Sequence, residues 1–325
     1  MMRLKEFDLA KGIGIILVVL GHFFPESAPS WYAHMRQVIY SFHMPLFLFV
    51  SGFVYMHTRR DVPYGVFLLK KAKRIALPYF LVSFLFIAIK LVPQALSIYV
   101  KNPVTLASFL KVFYYPEAAI SFWYLWVLWW FYMIIPLLRT KSSRLLMAVA
   151  AIILSWIPLD LPDVFSLPKL HEMFRYLMIG VVAYDWKEYM GWVKKVPTIA
   201  VVAIFCVLVF MRFIVGLPLG LLLALSGVWT VLSLSSCLVN LVDRGYMRWL
   251  AAVSASSYTI YLFHPIFIAA CLAVMKACHF ESASDFVFAC VASGTVAVSV
   301  GGPIVIRKIV EKVFSRLRAG TSSVE

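Results

Sequence analysis

Ten apolar runs punctuate the 325-residue chain: about 9–24, 38–57, 74–99, 120–138, 145–160, 171–186, 197–215, 219–242, 249–272 and 286–306. A helix needs roughly 20 residues to cross about 30 Å of hydrocarbon, and these runs approach or exceed that length. The longest segments on the side opposite the N-terminus, near 25–37, 100–119 and 273–285, are too short to fold alone. The pattern therefore predicts an all-α polytopic membrane protein of about ten transmembrane helices. It forms a single membrane-embedded domain over 1–325, with spans between about 8 and 306 and a basic cytoplasmic tail over 307–325. The first run is followed by Phe23-Phe24-Pro25-Glu26 and lacks a small-x-small cleavage site, so it is expected to stay as a helix and not to leave as a signal peptide. There is no internal repeat of the kind that marks many transporters.

Composition agrees with the pattern. Hydrophobic residues make up 63% of the chain and charged ones 14%, and mean hydropathy is +0.90. A soluble domain of this size carries about 45–50% apolar and about 25% charged residues. Disordered, collagenous and small disulfide-rich classes are excluded by the same figures. The excess of 30 Lys+Arg over 15 Asp+Glu would suggest nucleic acid in a soluble protein. In a membrane chain it is first a matter of topology. Alternating ten spans from an inner N-terminus puts 22 of the 30 basic residues on the inner face, Arg59, Arg60, Arg139, Arg144, Arg244 and Arg307 among them. Both termini are thus expected in the cytoplasm, with no nucleic-acid partner. Cys206, Cys237, Cys271, Cys278 and Cys290 show neither CxxC nor Cys/His spacing, so no metal site or disulfide framework is expected.

Ionisable residues inside spans are costly and ask for a reason. In the first run, Lys11 and His22 are eleven residues apart, which at 100° per residue places them on one helix face about 16 Å apart. Asp8 precedes Lys11 by one turn and can pair with it; Lys11 can also simply snorkel to the inner interface. His43, in Ser41-Phe42-His43-Met44-Pro45, and His264, in Tyr261-Leu262-Phe263-His264-Pro265, lie at the same depth as His22, near 20 Å from the inner interface. Pro45 frees the carbonyl of Ser41 and Pro265 that of Tyr261, and such breaks are tolerated where backbone is buried or lines a cavity. Three histidines at one depth on three spans suggest a shared cavity; inter-helix hydrogen bonds are the alternative. The aromatic stretch Ser121-Phe122-Trp123-Tyr124-Leu125-Trp126 reads either as an interfacial belt or as a sugar platform. Lys70-Lys71-Ala72-Lys73-Arg74 reads either as topology or as a phosphate-binding patch.

These stretches resemble the motifs of the acyltransferase family 3 integral membrane proteins, nearest to the fucose 4-O-acetylase type. The residues that carry the resemblance are Asp8–His22 (DLAKGIGIILVVLGH), Ser41–Phe53 (SFHMPLFLFVSGF), Lys70–Phe80 (KKAKRIALPYF), Phe122–Leu125 (FWYL) and Ser257–Phe267 (SYTIYLFHPIF). They occur in the family's order and cover essentially the whole chain. The family's first motif is Arg, ten residues, then His; here Lys11 takes the first place. Lysine keeps the cation and loses the bidentate fork. The family's Arg-x-x-Arg is Lys71-Ala72-Lys73-Arg74, again with Lys first.

The resemblance implies about ten helices and an O-acyltransferase that moves an acyl group, commonly acetyl from acetyl-CoA, to a hydroxyl of a glycan, lipid-linked sugar or other envelope molecule. Its setting would be a bacterial inner membrane, with membrane lipids around it. His22 would then be the general base, or would carry the acyl group as an acyl-His intermediate. His43 and His264 would orient the acceptor or stabilise the oxyanion. Lys11, Lys71, Lys73 and Arg74 would meet the acyl-CoA, while Ser51, Trp123, Tyr124 and Tyr261 would hold the acceptor. A transporter or flippase for a lipid-linked saccharide also needs polar residues at mid-membrane, though usually with repeats and paired acids.

Overall fold

Every regular element among the described residues is helical. The computed structural model describes residues 4–95, 100, 102–117, 119–189, 191–278 and 284–321, apart from the side chains of 192, 194, 310 and 313–321. The longer helices are α1 (Lys5–His22), α2 (Ser30–Thr58), α3 (Tyr64–Lys71) and α4 (Leu77–Ala95). After the short α5 (Ser108–Lys111) come α6 (Trp123–Ile134), α7 (Lys141–Leu154) and α8 (Leu167–Asp185). The chain continues through α9 (Thr198–Phe213), α10 (Gly220–Asp243), α11 (Arg248–Ala277) and α12 (Asp285–Thr321). Each of the ten apolar runs falls on one of these helices, the end of the third run (96–99) lying outside the described residues.

Among the described residues, six segments are long and apolar enough to cross a membrane: Ser30–Thr58, Tyr64–Ala95, Ile120–Leu137, Gly220–Asp243, Arg248–Ala277 and Asp285–Ile309. The protein is accordingly an integral membrane protein. Helices α7 and α9 are shorter, at 14 and 16 residues. Helices α1 and α8 carry more charge, with Lys5, Glu6, Asp8 and Lys11 on the first and Lys169, Glu172, Arg175 and Asp185 on the second.

Several boundaries differ from the apolar pattern for local reasons. Helix α2 begins at Ser30, eight residues before the second run, because its first two turns are polar on one side and aromatic on the other. Helix α7 stops at Leu154 although the run continues to 160; Ser155 closes the last turn through Oγ to the carbonyl of Ile152 (2.6 Å), and Pro158 follows. Its start is set by a capping box: Thr140 Oγ1 accepts from the Ser143 amide at 3.1 Å, and Ser143 Oγ accepts from the Thr140 amide at 3.2 Å. Between α3 and α4 the chain makes a π-helical turn, Ala72–Ala76, in which the amide of Leu77 bonds the carbonyl of Ala72. Pro78, which has no N–H to continue the ladder, follows at once.

The chain divides into two compact units, with the division inside α2 between His43 and Met44. The terminal unit comprises Met2–His43 and Thr198–Glu325. Here α1 packs against α10, α11 and α12, and α9 against α10. Ala10, Ile15 and Val19 of α1 are fully buried, and a Cβ added to Gly12 would collide with the side chain of Ser254. The glycine is what lets α1 and α11 touch at that level.

The central unit is Met44–Pro197, with α8 packed on α6 and α7. The second half of α2 crosses α8 through two facing glycines. A Cβ on Gly52 would meet the carbonyl of Leu177, and one on Gly180 the carbonyl of Phe49. Arg144 at the start of α7 forms a bidentate pair with Asp185 at the end of α8: Nε donates to Oδ2 at 2.6 Å and Nη2 to Oδ1 at 3.0 Å. The two side chains are only 7% and 4% exposed. Nη1 donates to the carbonyls of Leu138 and Arg139. Arg144 is thus the centre of a buried clasp.

Candidate active site

The terminal unit brings His22, His43 and His264 together. The His22 ring centroid lies 5.2 Å from that of His264 and 6.4 Å from that of His43, both in edge-on geometry. His22 therefore sits between the other two. It is half-buried, whereas His43 is 2% and His264 0% exposed.

Each ring is held by its own helix in the same way. Nδ1 of His22 is 2.7 Å from the carbonyl of Val18, and Nδ1 of His43 is 2.8 Å from that of Ile39. Nδ1 of His264 is 3.1 Å from the carbonyl of Ile260 and 2.9 Å from that of Tyr261. A carbonyl can only accept, so in the neutral rings Nδ1 carries the proton and Nε2 the lone pair. The carbonyl of Tyr261 is the one that Pro265 deprives of its helical partner, so the His-Pro pair is self-completing: the proline frees an acceptor and the histidine donates to it. Nε2 of His264 is buried and has no hydrogen-bond partner among the described residues.

The end of α1 is locked by α2. Beyond Val19, whose carbonyl accepts from the amide of Phe23 (3.1 Å), the next two carbonyls have no helical donor. Tyr32 donates its hydroxyl to the carbonyl of Leu20 at 2.7 Å, and Arg36 donates Nε to that of Gly21 at 2.9 Å. The Arg36 guanidinium also lies over the rings of Phe24 and Tyr40, 4.5 and 4.3 Å from their centroids. The Tyr40 ring in turn stands 4.8 Å from His43 and 5.9 Å from His22. Arg36 was not singled out in the sequence, although a signal exists: Arg36, Tyr40 and His43 recur at i, i+4 and i+7, which is one helix face.

The remaining candidates divide between the units. In the terminal unit, Lys11 pairs with Asp8 at 2.7 Å as the one-turn spacing suggests, and Tyr261 is buried with its ring 6.3 Å from His264. In the central unit, Ser51 Oγ and Tyr124 Oη are hydrogen-bonded at 3.0 Å. Trp123 lies beside Tyr124, with the ammonium of Lys169 5.9 Å above its ring. Lys71 is turned onto aromatic faces, 3.8 Å from the centroid of Tyr132 and 5.4 Å from that of Phe67. Lys73 and Arg74 are exposed on the π-helical turn. The five cysteines are free.

The structure is thus that of a helical integral membrane protein with imidazoles from three helices gathered in one cluster. Residues 4–302 match the family described as an acyltransferase domain, and the chain belongs to that family. Over 53 residues it is 45% identical to the nodulation protein NolL of Sinorhizobium fredii, a stretch that is 15% of this chain and 14% of that protein. Over 54 residues it is 41% identical to nodulation protein NolL of Mesorhizobium japonicum, with the same shares of 15% and 14%. The match thus spans 14% of the length of these curated relatives. No solved structure matches.

Proposed function

We propose that the protein is an O-acyltransferase that moves an acyl group, acetyl first among them, from cytosolic acyl-CoA to a hydroxyl of a cell-envelope glycan or lipid-linked sugar. Its setting is a bacterial plasma membrane, with about ten spans and both termini in the cytoplasm. The observation that carries this reading is the triple imidazole cluster centred on His22 in a chain of the acyltransferase family.

In this mechanism Nε2 of His22 takes the proton of the acceptor hydroxyl as that oxygen bonds to the thioester carbon. The carbon–sulfur bond breaks, and the imidazolium returns the proton to the departing thiolate. His22 suits the task because it alone of the three is not sealed from small molecules. His43 and His264 have their Nδ1 protons committed to carbonyls. Orienting the acceptor, by accepting its hydrogen bonds at Nε2, fits them better than donating to an oxyanion. Lys11, Lys73 and Arg74 are assigned to the anionic donor. Lys71 joins them through its place in the same motif, its ammonium lying against Tyr132.

The test is chemical. Envelope glycans from cells with and without the gene are compared by mass spectrometry, and the purified protein is assayed for coenzyme A release from acetyl-CoA in the presence of those glycans. Acylated species that appear only with the gene, together with coenzyme A release, are expected. Identical glycans and no release would sink the reading, and lost export of unmodified glycan would replace it with a flippase.

A further inference from the structure

The mechanism leaves one conspicuous group unused. Arg36 is a cation in the first two turns of α2, just outward of the second apolar run, and no carboxylate pairs with it among the described residues. A guanidinium has five N–H donors in a planar fork. Nε is spent on the carbonyl of Gly21, the residue next to His22. The rings of Phe24 and Tyr40 fix the plane of the group. The Nη edge, with four N–H, has no acceptor among the described residues.

Capping α1 does not explain this arrangement, because Tyr32 shows that a neutral hydroxyl can cap the neighbouring carbonyl. A guanidinium without a counter-ion, its plane fixed beside the histidine cluster, is poised to meet an anion. Its place on α2 says where. Arg36 precedes His43 by seven residues, so it stands on the same face about 10 Å nearer the start of the helix. Tyr40 lies between them and touches the guanidinium, His43 and His22. In the proposed orientation α2 starts on the outer side. The fork therefore stands at the outward edge of the histidine cluster, sharing the Tyr40 ring with His22 and His43, where it can meet an anionic group of a molecule whose hydroxyl reaches His22.

We propose that Arg36 is the anion-recognition residue of the acceptor site, binding a carboxylate or phosphate of the glycan through its Nη edge while a neighbouring hydroxyl reaches His22. The acceptor is thereby an acidic glycan. This inference rests on the acyltransferase reading and deepens it. A planar fork held in advance suits a bidentate oxyanion, for which a lysine would be a poor substitute. The same chemistry could be met by a lipid headgroup. The shared contacts of Tyr40 with the histidines favour the acceptor.

The experiment uses the full chain in dodecyl maltoside, a phosphate-free detergent, at matched ionic strength. The probes are methyl glucuronide, glucose 6-phosphate and the uncharged methyl glucoside, read by the shift of the thermal unfolding midpoint. At least one charged sugar should raise the midpoint saturably while the uncharged one does not. Arg36→Gln, which keeps a donor for Gly21, should weaken the apparent affinity at least tenfold. Arg36→Lys, which keeps charge without the fork, should fall between and guards against a folding defect. Added phosphatidylglycerol should leave binding unchanged. Equal stabilisation by the uncharged sugar, no saturable effect from either charged one, wild-type affinity in Arg36→Gln, or displacement by phosphatidylglycerol would each overturn the proposal. Coenzyme A release from acetyl-CoA, followed with the wild-type protein and the sugar that binds, separates the two readings: saturable binding that depends on Arg36 without release sinks the acyltransferase reading and leaves the assignment of Arg36 standing.

Discussion

Asparagine and glutamine divide an imidazole between them: the asparagine amide overlays Nδ1 and the glutamine amide overlays Nε2. Because His22 donates from Nδ1 to Val18, the two substitutions separate its structural duty from its chemical one. His22→Asn should keep the donor and fold with wild-type stability, yet lose about 10²–10⁴ in rate, the usual worth of a positioned base. His22→Gln should be equally inactive and, with the Val18 bond lost, less stable by about 1 kcal/mol. Wild-type activity should fall as the pH drops, since a proton on Nε2 removes the lone pair; the residual rate of His22→Asn should lack that dependence. An active His22→Asn enzyme would move the base to His43 or His264. The histidines were legible in the sequence because depth along a helix is simple arithmetic, and three spans gave the same answer. Arg36 was not, because the turn that carries it is too polar for an apolar window to include. Ring contacts of Tyr32 with Phe23 and Phe288, not hydrophobicity along the strip, accompany the helix in those first turns.

Helices α7 and α8 are joined by a clasp that opposes their own dipoles, with Arg144 at the positive end of one and Asp185 at the negative end of the other. Their mutual bonds and the two carbonyls on Nη1 must therefore hold them. Arg144→Ala or Asp185→Ala should cost about 3–5 kcal/mol, because each leaves a buried charge unpaired. Arg144→Met with Asp185→Leu should cost far less than the sum of the two, as checked by chemical unfolding in detergent. Equal, additive losses would show that the pair is not coupled. No local spacing announces such a pair, since its members are 41 residues apart. The basic cluster is the converse case: its residues are adjacent in sequence but not in direction. On a helix Lys71 and Lys73 point about 200° apart; one meets Tyr132 and the other is exposed.

For the whole molecule, the helices that satisfy length and apolarity do not include α1, α7, α8 and α9. Polar residues on α1 and α8 find partners within the protein, as Lys11 does with Asp8 and Arg175 with Ser155 and Tyr176. Periodic apolar runs thus reveal where helices lie more readily than which of them cross. If α1 crosses, a reporter inserted near Ser30 and one fused after Glu325 should report opposite sides of the membrane. The same side for both would remove α1 from the count and reverse the assignment of α2. The clasp also bears on how such a chain is made. Arg144 emerges from the ribosome 41 residues ahead of Asp185, so α7 reaches the translocation machinery carrying a cation whose counter-ion has not yet been synthesised. If both helices cross, the bidentate pair can close only once α8 has followed α7, so the two are expected to settle as a hairpin. A nascent chain halted between them would hold an arginine whose partner does not yet exist.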